Sequence, residues 1–173
     1  KKGIGLFLVD NNNINNRPYN TIDGYRSTEM SFENINGELL CKDNQALECI
    51  IKTNSAGALA LSAEAVGIMQ VCFDLTLDYL KTRKQFGKSI GAFQSIQHRM
   101  VDMMLEIEQV RSAVMLASST FESNSTTRDK NVSAAKNLVG RVGKLIAEES
   151  IQLHGGIAMT WEYSVAHYAK RLI

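Results

Sequence analysis

The sequence predicts a mainly α protein: an antiparallel up-down four-helix bundle preceded by a few strands. Three observations carry this. After about residue 43, apolar residues recur three and four apart over long stretches. Pro18 is the single proline in 173 residues, against a usual ~5%, so long helices run uninterrupted. Short turn-forming junctions separate the helical stretches, which sets consecutive helices antiparallel.

The strands come first. Lys1-Lys2 leads straight into Ile4-Gly5-Leu6-Phe7-Leu8-Val9, an apolar run of strand formers closed by Asp10 and an asparagine cluster. That cluster, through Asn16 and on to Pro18, reads as a surface loop, because asparagine tolerates turn conformations. Arg26 to Ile35 alternates, with Met30 and Phe32 on one face and Glu29, Ser31 and Glu33 on the other. This predicts a half-buried strand closed by a turn at Asn36-Gly37. Two such strands are marginal alone and read as the edge of a larger sheet. The expected division is 1–42 for the strands and 43–173 for the bundle.

The first helix is predicted from about 45 to 82, with Leu59, Ala63, Val66, Met69, Phe73, Leu77 and Leu80 inward. The second keeps its spacing through Phe93, Ile96, Met100, Met103, Ile107, Val110, Val114, Ala117 and Phe121. Serine, threonine and asparagine from Ser118 to Thr127 then break the pattern. The third runs from about Asp129 to Leu153, with Val132, Ala135, Val139, Val142, Ile146 and Leu153 inward. Gly155-Gly156 stops it in the manner of a Schellman end. The fourth is expected to start near Thr160 as N-cap and to be still running at Ile173. Both ends of the chain read as cut from something longer.

Composition narrows the function classes. Nineteen Lys and Arg against eighteen Asp and Glu leave a net +1, which gives no reason to expect nucleic acid or an acidic membrane surface. No run of ~18 uninterrupted apolar residues marks a membrane span. Cys41, Cys49 and Cys72 form neither a disulfide framework nor a CxxC pair, so a reducing compartment is expected. His98, His154 and His167 are scattered, and no metal site is expected. His98 reads as a hydrogen-bonded structural residue, and Met100, Met103, Met104 and Met115 as core filler. Lys170 and Arg171 read as solvated or C-terminal cations.

Two junctions carry chemistry. Between the first two helices lies Lys81-Thr82-Arg83-Lys84-Gln85-Phe86-Gly87-Lys88, followed by Phe93-Gln94. Taken alone, it is a helix C-terminus whose cations complement the dipole, followed by a glycine turn. The alternative is a phosphate site, since an arginine fork suits a pyrophosphate and glycine admits close backbone approach. The other junction is Gln152-Leu153-His154-Gly155-Gly156-Ile157-Ala158-Met159-Thr160-Trp161-Glu162-Tyr163. It reads either as a helix end with a capped restart or as bare backbone donors offered to a cofactor.

In this order and on these helices, the two junctions resemble the acyl-CoA dehydrogenases. That family's C-terminal bundle carries an R-x-Q/T-F-G…F-Q loop and a later Q-x-x-G-G. Ala63-Glu64-Ala65-Val66-Gly67 fits as well. Residues 1–42 resemble the last strands of the family's middle β-domain, of barrel or sandwich type, including Val9-Asp10 and Asp23-Gly24. The resemblance spans the whole chain.

The resemblance implies a FAD enzyme that oxidises the Cα–Cβ bond of an acyl-CoA thioester, in fatty-acid β-oxidation and lipid metabolism. A carboxylate takes the α-proton and the flavin accepts the β-hydride. It further implies that Arg83 pairs with the FAD pyrophosphate and that Gln85, Phe86 and Gln94 line the same cofactor. Gln152, Gly155 and Gly156 pack against its adenosine half. These contacts belong to a neighbouring subunit's flavin, so an oligomer, usually a dimer of dimers, is implied. An electron-transfer flavoprotein is the implied acceptor. The Gln152–Tyr163 stretch, with His167-Tyr168 and Lys170-Arg171-Leu172, is most similar to small subunits of paired dehydrogenases such as pimeloyl-CoA dehydrogenase.

The sequence departs from the pattern at the catalytic base. The usual glutamate position lies beyond Ile173, and the position a minority of members use falls on Gly57, which has no side chain to act. Glu64 reads as a polar partner within the bundle and Glu162 as an acid in the first turn of the fourth helix. Two other readings stand beside the first: a non-catalytic helical assembly module, and a flavin oxidase or monooxygenase of the same fold. The bacterial cytoplasm is the expected location, with the mitochondrial matrix as alternative.

Overall fold

The structure, a computed structural model, describes residues 3–173, leaving out the Asn13 side chain. Lys1 and Lys2, read above as leading into the first strand, lie outside the described residues. The chain divides into two compact units, one up to Asn54 and one from Ser55 to Ile173.

The first unit holds four strands and the start of a helix. Strand β1 (Gly5–Leu8) pairs antiparallel with β4 (Glu38–Lys42), from Gly5↔Lys42 to Leu8↔Glu38, with an irregularity after Leu6. Strand β2 (Asn15–Asn20) pairs antiparallel with β3 (Arg26–Ser31). The asparagine-rich stretch is therefore only partly loop. Asp10 accepts a hydrogen bond from the Asn12 N–H at 3.0 Å and caps a 3-10 turn over Asn11–Asn13. Pro18 then sits inside β2, which has one strand neighbour and so tolerates a residue without an N–H. The expected half-burial of Met30 and Phe32 is also corrected: both are exposed, Met30 on a strand that pairs only within a two-stranded sheet among the described residues and Phe32 just past its end.

The second unit is the bundle. Helix α1 (Asp43–Thr82) begins in the first unit and continues through it. Then come α2 (Gln94–Ser119), α3 (Ser125–His154) and α4 (Ser164–Leu172). Their short connections give the up-down order. The core gathers Met69, Cys72 and Leu80 of α1 with Met103, Ile107 and Val110 of α2 and Val142 and Ile146 of α3. Val165 of α4 closes it. Every predicted inward position of α3 is buried. In α1 the pattern shifts: Ala63 is exposed, while Ser62 and Thr76 are buried. Their hydroxyls donate to the Ala58 and Cys72 carbonyls at 2.7 and 2.6 Å, which satisfies them inside the helix.

Helix α1 is long and apolar enough by length and composition to cross a membrane, with a mean hydropathy of 1.6 in its most apolar window. Two of its polar side chains bond other helices of the bundle. Glu64 accepts both Nε and Nη2 of Arg171 at 2.8 and 3.0 Å. Gln70 accepts from Arg111 at 2.7 Å. Arg171 is thus an α1–α4 tie and not a solvated cation.

The helix starts were misread twice. The Asn124 side chain accepts the Thr127 N–H at 2.9 Å, so Ser125 to Thr127 form the first turn of α3 and do not break it. Thr160 does not cap α4. Its hydroxyl turns back to the Ile157 carbonyl at 2.8 Å and closes a 3-10 turn over Gly155–Met159. Glu162 consequently lies in the turn before α4, not in its first turn. Met104 and Met115 are exposed, against the core-filler reading. His98 is exposed as well; the hydrogen-bonded histidines are His154 and His167.

Candidate functional site

Helix α1 ends where α2 begins, and α3 ends where α4 begins. In an up-down bundle both junctions lie at one end. Side-chain contacts confirm this directly: the Tyr79 ring of α1 stacks on the His154 ring of α3 at 4.6 Å between centroids. Tyr163, just before α4, meets His154 edge-on at 5.1 Å.

The first junction is a tight hairpin. Strands β5 (Lys84–Gln85) and β6 (Lys88–Ser89) pair antiparallel around a two-residue turn. Phe86 and Gly87 both take positive φ, 55° and 79°, as a primed turn requires. The hairpin base is fixed by Arg83 N–H to the Tyr79 carbonyl at 2.8 Å and Ile90 N–H to the Arg83 carbonyl at 2.9 Å. The Arg83 and Gln85 side chains are exposed, and Phe86 at the tip is 89% exposed. Lys88 stands 4.1 Å over the Phe93 ring, and Gln94 opens α2 on the exposed side. Gly91 is required by contact: a Cβ there would come 3.0 Å from the Leu80 carbonyl oxygen.

At the second junction, Gln152 is exposed and Gly155 adopts φ 69° with ψ −147°. That conformation is glycine's own and differs from a left-handed Schellman end. A Cβ on Gly155 or Gly156 would meet nothing within 4 Å, so this backbone faces open space. Beyond it, Lys170 lies 4.4 Å over the exposed Trp161 ring, and the His167 ring bonds the Trp161 carbonyl at 2.8 Å. Lys170 is therefore held on an aromatic face.

The fold thus brings Arg83, Gln85, Phe86 and Gln94 to the same end as Gln152, Gly155 and Gly156. A guanidinium, amides, an aromatic tip and a glycine backbone that admits close approach suit a pyrophosphate joined to aromatic rings, although the Gly155 N–H itself bonds the Ile151 carbonyl. The face is open to solvent. Gly57 lies exposed on α1 with nothing near it, and Glu64 is engaged by Arg171. Among the described residues no group of three His, Cys, Asp or Glu is placed to hold a metal.

Sequence reasoning missed the Tyr79–His154–Tyr163 knot. Its one local signal was a histidine placed directly before the glycine pair. Burial lowers the His154 imidazole below its ordinary value and raises the Tyr163 phenol. Burial also pushes the Cys72 thiol up to about 12, with the Ser150 hydroxyl opposing weakly.

Comparison with known proteins agrees with this geometry. The family model described as acyl-CoA dehydrogenase, C-terminal domain, matches residues 47–172. The acyl-CoA dehydrogenase IpdE2 of Mycobacterium tuberculosis is 40% identical over 114 residues, which cover 66% of this chain and 34% of that protein. Subunit CarC of the caffeyl-CoA reductase-Etf complex of Acetobacterium woodii is 32% identical over 122 residues, 70% of this chain and 32% of that protein. Among solved structures, a variant of the Tcur3481-Tcur3483 steroid ACAD superposes with a TM-score of 0.86 at 27% identity, over 97% of this chain and 45% of that one. The chain spans about a third of the length of the two curated relatives. With both junctions, the bundle and the family match in agreement, the chain belongs to the acyl-CoA dehydrogenase family and carries its C-terminal helical domain.

Proposed function

We propose that this chain is the C-terminal portion of a FAD-dependent acyl-CoA dehydrogenase. The whole protein would oxidise the Cα–Cβ bond of an acyl-CoA thioester to a 2-enoyl-CoA and pass the electrons to an electron-transfer flavoprotein. This portion would supply oligomer contacts and one side of the FAD site. The observation that carries the reading is the convergence of both junctions on one open end of the bundle. Bound there, the flavin would supply the hydride acceptor. The Arg83 guanidinium would fork onto the pyrophosphate, and Gln85 and Gln94 would offer amide hydrogen bonds. Phe86, held out at the hairpin tip, would cover an aromatic face and exclude water. Gly155 and Gly156 would let the cofactor lie close against the backbone where any side chain would stand it off, with the Gly155 N–H kept on the Ile151 carbonyl. The open face fits a flavin held mainly by another subunit. The Etf complex named for the CarC relative supports the acceptor. No catalytic base is assigned to a residue of this chain.

Arg83→Ala in the full-length protein tests the site. Losing a charge-assisted fork is worth roughly 1.5–3 kcal/mol, so FAD affinity should fall about tenfold or more. The thermal melt of the bundle should not move, because the side chain is exposed. Unchanged FAD content would remove the pyrophosphate role. Anaerobic bleaching of the flavin by an acyl-CoA supports the dehydrogenase, and fast reoxidation by oxygen would favour an oxidase.

A further inference from the structure

We infer that His154 is a positioning residue for the flavin half-site and does this work as the neutral imidazole. The inference rests on the functional reading above. His154 ends α3 and is joined directly to Gly155. It is only 4% exposed. Tyr79 of α1 stacks on it and Tyr163 meets it edge-on, so three segments converge on one ring. Two of them lead straight to the proposed cofactor residues. The Tyr79 carbonyl accepts the Arg83 N–H, and His154 continues into the glycine pair. The hairpin and the glycine pair therefore share one reference point, and displacing the ring displaces one relative to the other.

The protonation state follows from the neighbours. Nδ1 lies 2.8 Å from the Ser150 carbonyl, which only accepts, so Nδ1 carries the proton of the neutral ring. Nε2 is buried and makes no hydrogen bond of ordinary geometry, with the Leu75 carbonyl as the one acceptor near the ring besides that of Ser150. A second proton would have to settle there, shut off from water beside two aromatic rings, and the pull of the Leu75 carbonyl is smaller than that cost. The titratable groups facing the ring are Tyr79 from α1 and Tyr163 from the turn before α4, with the Cys72 thiol of α1 beside Ser150. No carboxylate or cation is among the groups acting on it. Desolvation accordingly holds the imidazole below 6.5, against the opposing pull of the Ser150 and Leu75 carbonyls. An opened form takes the proton first. The stack keeps its full stability above about pH 6.5 and loses it as pH falls.

The test uses full-length protein with its flavin, compared at about pH 7.5 and at a pH below the midpoint of the His154 ring signal. FAD affinity, helicity by circular dichroism, and the histidine and tyrosine ring NMR signals are followed together. The wild type should bind FAD several-fold more weakly at the lower pH, in step with a histidine signal that His154→Phe removes. His154→Phe keeps a stacked ring that takes no proton, so its FAD affinity should no longer fall with pH. His154→Ala removes the stack and should weaken FAD by a similar factor at both values. The inference is overturned if His154→Phe keeps the wild-type pH dependence, or if His154→Ala binds FAD as tightly as the wild type. Should the alanine variant lose helicity, the comparison of wild type with His154→Phe decides. Full-length protein that takes up no FAD at any pH overturns the flavin reading. Tyr79 and Tyr163 signals that ignore the His154 titration overturn the positioning role.

Discussion

Phe86 stands at a positive φ with almost its whole surface in solvent. That conformation costs a bulky residue about 1–3 kcal/mol, and the ring returns little beyond an edge contact with Phe93 at 6.1 Å. A residue so placed suits the proposed cofactor contact. Phe86→Gly should therefore stabilise the bundle by roughly 1 kcal/mol in urea unfolding while weakening FAD in the full-length protein. A destabilised variant would show that the Phe93 contact outweighs the strain. Gly155 is the opposite case. Space around it is open, yet its φ and ψ suit glycine alone, so Gly155→Ala should cost about 1–3 kcal/mol through the backbone. Thiol chemistry separates the cysteines in the same way. Cys72 is fully buried with its thiol raised to about 12, whereas Cys49 is exposed. Iodoacetamide should alkylate Cys49 in the folded protein and reach Cys72 only on unfolding, read by peptide mass.

Helices α2 and α3 are the elements whose loss would be felt most, because their stripes fill the core. Ile146 is fully buried among them, and Ile146→Ala should cost about 2–5 kcal/mol in the urea midpoint. Asn124→Ala removes the α3 cap and should cost about 1 kcal/mol. These elements were legible because each presents one apolar stripe, and spacing reports a stripe faithfully. Helix α1 was read less well. Ser62 and Thr76 are buried because their hydroxyls bond carbonyls of their own helix, which hydropathy does not register. The start of α4 was missed because Thr160 bonds backward over a 3-10 turn, and a threonine that closes a turn looks like one that caps a helix. The candidate site shows the same division. Arg83, Phe86 and Gly155 stand in contiguous motifs that the sequence displays directly. The contact of Tyr79 with His154 joins residues far apart in sequence, and no local spacing records it.

At the scale of the whole molecule, α2 has two apolar faces. One fills the core, and the other exposes Val101, Met104, Leu105, Met115 and Leu116. Residues 104 and 115, like 105 and 116, are eleven apart, three helical turns, so they share a side. Exposed apolar residues gathered on one side of a helix, interrupted here by Glu108, suit a contact with another chain. If that contact is the oligomer interface, and the flavin is held mainly by a neighbouring subunit, then subunit dissociation and flavin loss are one equilibrium. FAD retention in the full-length protein should then fall on dilution, together with the mass measured by light scattering. Leu105→Glu combined with Met115→Glu should lower both mass and flavin content while leaving helicity intact. Arg83→Ala should lower flavin content and, through the same equilibrium, bring the fall in mass on dilution to a higher protein concentration. A double variant that keeps its mass would move the interface off this face of α2. One that loses mass but keeps FAD would place the whole flavin site within a single subunit.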